Sequence, residues 1–356
     1  MNLERVEKIA NAVLYEGYIL YPYRSSSVKN RQRWNFGALC PPAYSQAQGD
    51  TESCQMQTEC LVEGVERATL DVKIRFLHLL SREVGRLTTP LPELPEGVEP
   101  DFQRVAAMEV GGQIYQTWQE AVEREVSLPG INLSKLGAEG QRQAFTYPSK
   151  QEMEPLREPD GRTVGVLVRR QEFIEGSIEV AAERAGEGLL KLTVRILNLT
   201  PLEDAARKSR DEALMRSLVS THTILAVREG SGEFVSLLEP PEALREIVAS
   251  CRNTGTWPVM VGEEGARDCM LSSPIILYDY PQIAPESAGD LFDGTEIDEI
   301  LTLRIMTLTD EEKREMRGVD ERARQLLERT ETLPAEQLMK LHGAMRAISP
   351  REEDER

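Results

Sequence analysis

Net positive charge is what this chain most plainly lacks. Its 356 residues carry 60 Asp and Glu against 42 Lys and Arg, a formal charge of −18. Counterion release from a phosphate backbone needs a net basic face, so nucleic acid is excluded as a general partner, although a local basic patch still accommodates phosphate. Aromatic residues are sparse at 5%. No run approaches the ~18–20 apolar residues of a membrane span. The opening "MNLERVEKIANAVLYEGY" has no basic region followed by an apolar stretch and a small-residue cleavage site, so it is not a secretory signal. CxxC is absent, and five cysteines at irregular spacing fit a reducing cytoplasm better than a disulfide framework. A cytoplasmic protein without membrane insertion is expected.

Enzyme signatures are missing as well. HExxH, GxxxxGK[ST] and GxSxG do not occur, and no GxGxxG follows a strand pattern. Zincins, P-loop and dinucleotide folds and the α/β-hydrolase elbow therefore have no support.

Two local absences stand out against the composition. Between Glu16 and Asp50 there is no Asp or Glu, and Arg24, Lys29, Arg31 and Arg33 are interleaved with Tyr18, Tyr21, Tyr23, Trp34 and Phe36. From Asp268 to Leu303 there is no Lys or Arg, while eight carboxylates include Asp279, Glu286, Asp290 and Asp293. Arg and aromatics together are enriched at interface centres, which nominates Tyr21, Tyr23, Arg24, Lys29, Arg31, Arg33 and Trp34 as partner contacts. The acidic run is either a solvated loop leading into a helix N-terminus or a carboxylate-rich metal or acid/base site. Its spacing does not reproduce the EF-hand ligand order. The two oppositely charged stretches could equally dock on each other.

Along the chain, Val6, Ile9, Ala10, Val13 and Leu14 fall at helical spacing, predicting an amphipathic helix over residues 3–14. "LDVKIRFLHLL" (70–80) alternates with period 2 and predicts a strand. A related run, "LKLTVRILNLT" (190–200), matches it with Arg75 set against Arg195. Each is preceded by a second related run, "CLVEG" (60–64) and "FIEGSIEV" (173–180). Two copies of a β-hairpin unit, or two amphipathic strands that merely look alike, both account for this. Pro90, Pro92, Pro95 and Pro100 predict an extended linker or loop. Gly111-Gly112 predicts a hairpin turn, and residues 130–163 look loop-rich. Thr200-Pro201-Leu202-Glu203 predicts a helix to about Leu218, and 222–238 a hairpin around Gly230 and Gly232. Thr309 with Glu312 predicts a helix ending at Gly318.

The expected fold is α+β: a β-rich core of antiparallel units, an N-terminal helix and a C-terminal helical segment. The expected divisions are 1–85 (helix plus first β unit), 86–163 (proline-rich linker with hairpin and loops), 164–305 (second β unit with inserted helices), 306–348 (helices) and 349–356 (tail). Among single side chains, His78 on the apolar strand face, aligned with Asn198 of the second run, is read as a hydrogen-bonded strand end before a general base. Cys40, beside Pro41-Pro42, is a buried structural thiol or part of a site assembled in space. Cys40 and His78 join Asp279, Glu286, Asp290 and Asp293 as metal-ligand candidates, with no cofactor and no catalytic residue assigned.

The strings "VLYEGYILYPYRSSSVKNRQRWNFGALCPP" (13–42), "HTILAVREGSGEFVSLLEPP" (222–241) and "MLSSPIILYDYPQIAPESAGDLFDGTEIDEILTLRIMTLTDEEK" (270–313) resemble a bacterial protein family found in gene clusters of high-affinity, actinobacterial-type nickel–iron hydrogenases. The resemblance spans most of the chain. It implies an accessory, assembly or scaffolding role toward a hydrogenase subunit and supplies no catalytic residues. The competing expectations are a metal-handling protein or enzyme built on residues 279–299, and a structural homo-oligomer.

Overall fold

The computed structural model describes residues 3–14, 36–64, 68–94, 99–228, 232–282, 305–318, 321–332 and 334. Helix α1 (Leu3–Leu14) and the short α2 (Pro42–Ala47) precede strands β1 (Gln55–Glu63) and β2 (Thr69–Leu91). Then come β3 (Phe102–Val105), β4 (Ala107–Val110), β5 (Gln113–Gln116), β6 (Trp118–Asn132), β7 (Gln141–Tyr147), β8 (Lys150–Arg157), β9 (Thr163–Gln171), β10 (Ile174–Gly186) and β11 (Leu189–Asn198). The chain continues through α3 (Arg210–Leu214), β12 (Val219–Val227), β13 (Glu233–Phe234), α4 (Arg245–Ala249), β14 (Trp257–Met260), β15 (Cys269–Ser273), α5 (Asp310–Arg317) and α6 (Glu321–Glu331). The fold is β-rich α+β.

Alternation along β2 determines the architecture. Leu70, Val72, Ile74 and Phe76 point inward, as do Leu190, Leu192, Val194 and Ile196 of β11, and all eight are buried in one core. They come from two antiparallel sheets. The first runs β13-β1-β11-β10-β7, and the second β14-β15-β12-β2-β9-β8. Strands β12 and then β9 share one edge of β2, while β6 and then β3 pair along the other. At ~3.3 Å per residue, the 23 residues of β2 outrun the first sheet. Its second half accordingly carries its own small cores, with Val84 packed beside Val110, Leu156 and Leu167, and Leu87 beside Val166 and Val168. The outer face of β12, β15 and β14 is covered by α1, whose Val6, Ile9, Ala10 and Val13 meet Ile224, Ala226, Val259 and Leu271. With both faces covered, β12 is buried at every position.

Several expectations change at this level. The stretch 86–163 is not linker and loop: Thr88–Leu91 extend β2, and six further strands follow before β9. Their exposed, polar faces hid the period-2 pattern. The hairpin at Gly111-Gly112 does form between β4 and β5, with φ of +59° and +82°, as a tight turn requires. No helix runs from Thr200 to Leu218. The Thr200 hydroxyl is instead taken by the backbone of Glu175, and the capping box belongs to Ser209 and Glu212. Strand β13 pairs with β1 of the other sheet, so 222–238 is not a hairpin. Of the two related β pairs, β10 and β11 form a hairpin, whereas β1 and β2 lie in separate sheets. Residues 42–47 are helical behind Pro41-Pro42.

In its described part the C-terminal segment carries helices, while 335–356 lie outside the described residues. Thr309 and Glu312 exchange bonds at the start of α5, and its end is held by Arg82. That guanidinium, 5% exposed, donates to Gly318 O at 2.9 Å, Gln116 O at 3.0 Å and Glu120 Oε1 at 2.9 Å. Ile305, Met316, Leu326 and Leu327 close a separate core between α5 and α6.

Candidate partner-binding face

Ser220 sits at an irregularity in the pairing of β12 with β2, between Val219 and His222, with a left-handed φ of +52°. That backbone turn frees groups which a regular ladder would consume. The Ser220 hydroxyl donates to Leu14 O at 2.7 Å, and its amide donates to Phe36 O at 3.1 Å. Thr221 N adds a bond to Gly37 O at 3.1 Å, and Leu39 bridges Leu218. Leu14 and Phe36, the described residues on either side of positions 15–35, are thus both bonded to Ser220.

Gly37 in turn backs onto Pro274. A Cβ at Gly37 would lie 2.7 Å from Pro274 Cγ, and φ there is +53°, so glycine permits both the turn and the contact. Pro274 opens a strap that passes the outer edge of β14. Leu277 is buried beside Val6 and Ile9 of α1. Asp279 accepts from Met260 N at 2.7 Å, and Tyr280 N donates to Met260 O at 2.8 Å. Ile276 and Tyr278, on alternate positions, turn outward and are 70% and 85% exposed. Trp257, paired with Ser273 at the start of β14, is 45% exposed, and Phe36 is 42% exposed. Gly37 and Pro274 thus bring the flank of the basic–aromatic stretch against the described part of the acid-only one, beside exposed large apolar side chains.

Nearby charge on the sheet is largely neutralised. Lys73 pairs with Glu7 at 3.1 Å and Glu125 at 3.3 Å, and Arg75 with Glu123 at 2.9 Å. His222 lies beneath, with Nδ1 2.7 Å from Ser220 O, and burial pushes its pKa down to about 4, so it is neutral.

The residues nominated from sequence fall in three places. Tyr21, Tyr23, Arg24, Lys29, Arg31, Arg33 and Trp34 lie outside the described residues, as do Glu286, Asp290 and Asp293. Asp279 is a staple within the strap, its second oxygen accepting from the Ser236 hydroxyl at 2.5 Å. Cys40 is fully buried beside Tyr44 and Ala213, and burial raises its thiol to about 11, far from thiolate chemistry at neutral pH. His78 is fully buried with Nε2 3.0 Å from Glu172 O, and burial together with the Arg124 charge lowers its pKa to about 4. Asn198, its aligned counterpart, likewise binds backbone carbonyls, of Leu39 at 2.7 Å and Arg216 at 2.9 Å. Asn198 is a hydrogen-bonded strand end, whereas His78, hydrogen-bonded likewise, lies within β2 and not at its end. Among the described residues no three His, Cys, Asp or Glu side chains group closely enough to hold a metal ion.

Ile276, Tyr278, Trp257 and the Ser220 anchor escaped the sequence analysis. The alternation Ile276-Leu277-Tyr278 was a usable signal, but which face it turned outward depends on α1, a distant element. Neither the known protein families nor the curated proteins supply a match to this chain. Among the described residues no helix is long and apolar enough to cross a membrane.

Proposed function

We propose that this chain is a non-catalytic accessory protein that binds a partner protein across the face formed by Phe36, Ile276 and Tyr278, with the basic–aromatic and acid-only stretches contributing further contacts. The observation that carries this reading is the exposure of Ile276 and Tyr278 at the point where Gly37 meets Pro274. Large apolar and aromatic side chains ringed by charge are what interface centres use, and charges of both signs steer a complementary partner. The sequence resemblance makes that partner a subunit of a nickel–iron hydrogenase. The same proposal takes the two matching β runs as copies of one unit, supported by the way β2 and β11 contribute equivalent residues to one core.

Co-expression with the hydrogenase subunits tests the reading. The wild-type chain is expected to co-purify with one of them, and Arg31→Glu combined with Arg33→Glu to lose it while the unfolding midpoint stays unchanged. Retention of the complex by that folded double variant contradicts the proposal.

A further inference from the structure

We propose that a cavity on the inner face of the second sheet, under the β7–β8 turn, binds a small monoanionic carboxylate with an apolar body, through Arg124. The cavity measures about 380 Å³, within the range of small-molecule sites. Its apolar lining comes from Leu80 and Val122 on neighbouring strands and from Pro148 in the turn.

Its charges are not equivalent. Lys150 is paired with Glu152, and Arg169 holds Glu120 at 2.9 Å and Glu154 at 2.8 Å. Arg124 has no carboxylate partner among the described residues. Its guanidinium lies over the Tyr147 ring, 4.7 Å from the centroid, and Nη2 donates to Gln171 Oε1 at 2.5 Å. Gln171 is itself fixed by donating to Pro148 O at 2.6 Å, and the Tyr147 hydroxyl is tied to Glu125 O at 3.1 Å. Arg124 Nε is shielded from water and has no acceptor among the described residues.

An arginine stacked on one face and oriented by a second residue is preorganised, and a buried donor left unmade is costly. The planar fork matches a carboxylate in the plane of the guanidinium. One uncompensated positive charge calls for a monoanion. A phosphate dianion would meet Glu152, which lines the same space. The apolar lining provides for a hydrocarbon body rather than a second charge. This pocket lies on the opposite face of the sheet from α1.

The test uses the full chain and titrates benzoate and butyrate, with benzamide as the neutral isostere of benzoate and inorganic phosphate as the competing anion, by ligand-observed NMR. At least one carboxylate is expected to bind saturably, benzamide roughly tenfold or more weakly than benzoate, and Arg124→Gln to weaken carboxylate binding by roughly ten- to a hundredfold. Val122→Phe, which fills the cavity while keeping Arg124, is expected to abolish binding with the fold intact. Absence of saturable carboxylate binding at about ten times a roughly 1 mM dissociation constant overturns the proposal. So does equal binding of benzamide, phosphate binding tighter than either carboxylate, or unchanged affinity in folded Arg124→Gln.

Discussion

Two buried histidines make stability depend on pH. His78 and His222 are both fully buried, and both have pKa values lowered to about 4, chiefly by burial, against about 6.5 in an unfolded chain. Because the folded-state values lie lower, the unfolded state takes up protons first as pH falls. Their stability contribution is complete above about pH 6.5 and is lost as pH drops toward 4, approaching on the order of 3 kcal/mol for each. Urea midpoints should therefore fall clearly between about pH 7.5 and pH 5, and a flat profile would contradict the burial account. Ser220 offers a second residue-scale check. Replacing it with Ala removes the bond to Leu14 O and should cost about 1 kcal/mol. The α1 amides should then exchange faster with deuterium, while those of β12 change little.

At the scale of elements, glycine at position 176 of β10 makes room for the ring of Phe145, its pair on β7. A Cβ there would lie 2.4 Å from Phe145 Cζ and 2.9 Å from Leu197 O, and Phe145 packs on Phe76 at 5.9 Å between ring centroids. Gly176→Ala should destabilise the protein by roughly 2 kcal/mol through overpacking, read as a lower midpoint at unchanged denaturant sensitivity. The long apolar alternations of β2 and β11, the stripe of α1 and the Thr309 cap were legible in the sequence, because burial and capping imprint local patterns there. Strands β6, β7 and β8 were not. Residues such as Gln141, Arg142 and Glu123 leave their faces exposed, so pairing rather than burial holds these strands, and pairing leaves little trace in composition. The Thr200 signal misled because its hydroxyl was claimed by Glu175, far away in sequence.

Across the whole molecule, Arg82 couples the C-terminal helices to the sandwich through Gly318 O. Arg82→Met leaves Gln116 O and Gly318 O without this donor and removes one partner of Glu120. It should cost roughly 3 kcal/mol, with α5 and α6 losing protection before the sheets in hydrogen exchange. The candidate face shows how local and distant information divide. Its charge anomalies were readable as composition, whereas Ile276 and Tyr278 became visible only once α1 had buried Leu277 between them.

The central claim is that this face binds a partner. Substituting Ile276→Ser and Tyr278→Ser together should leave stability nearly unchanged, since both side chains are exposed, yet weaken binding to the co-expressed hydrogenase subunit by roughly tenfold or more, as loss of interface anchors does. Unchanged affinity in that folded double variant, measured by surface plasmon resonance, would contradict the account.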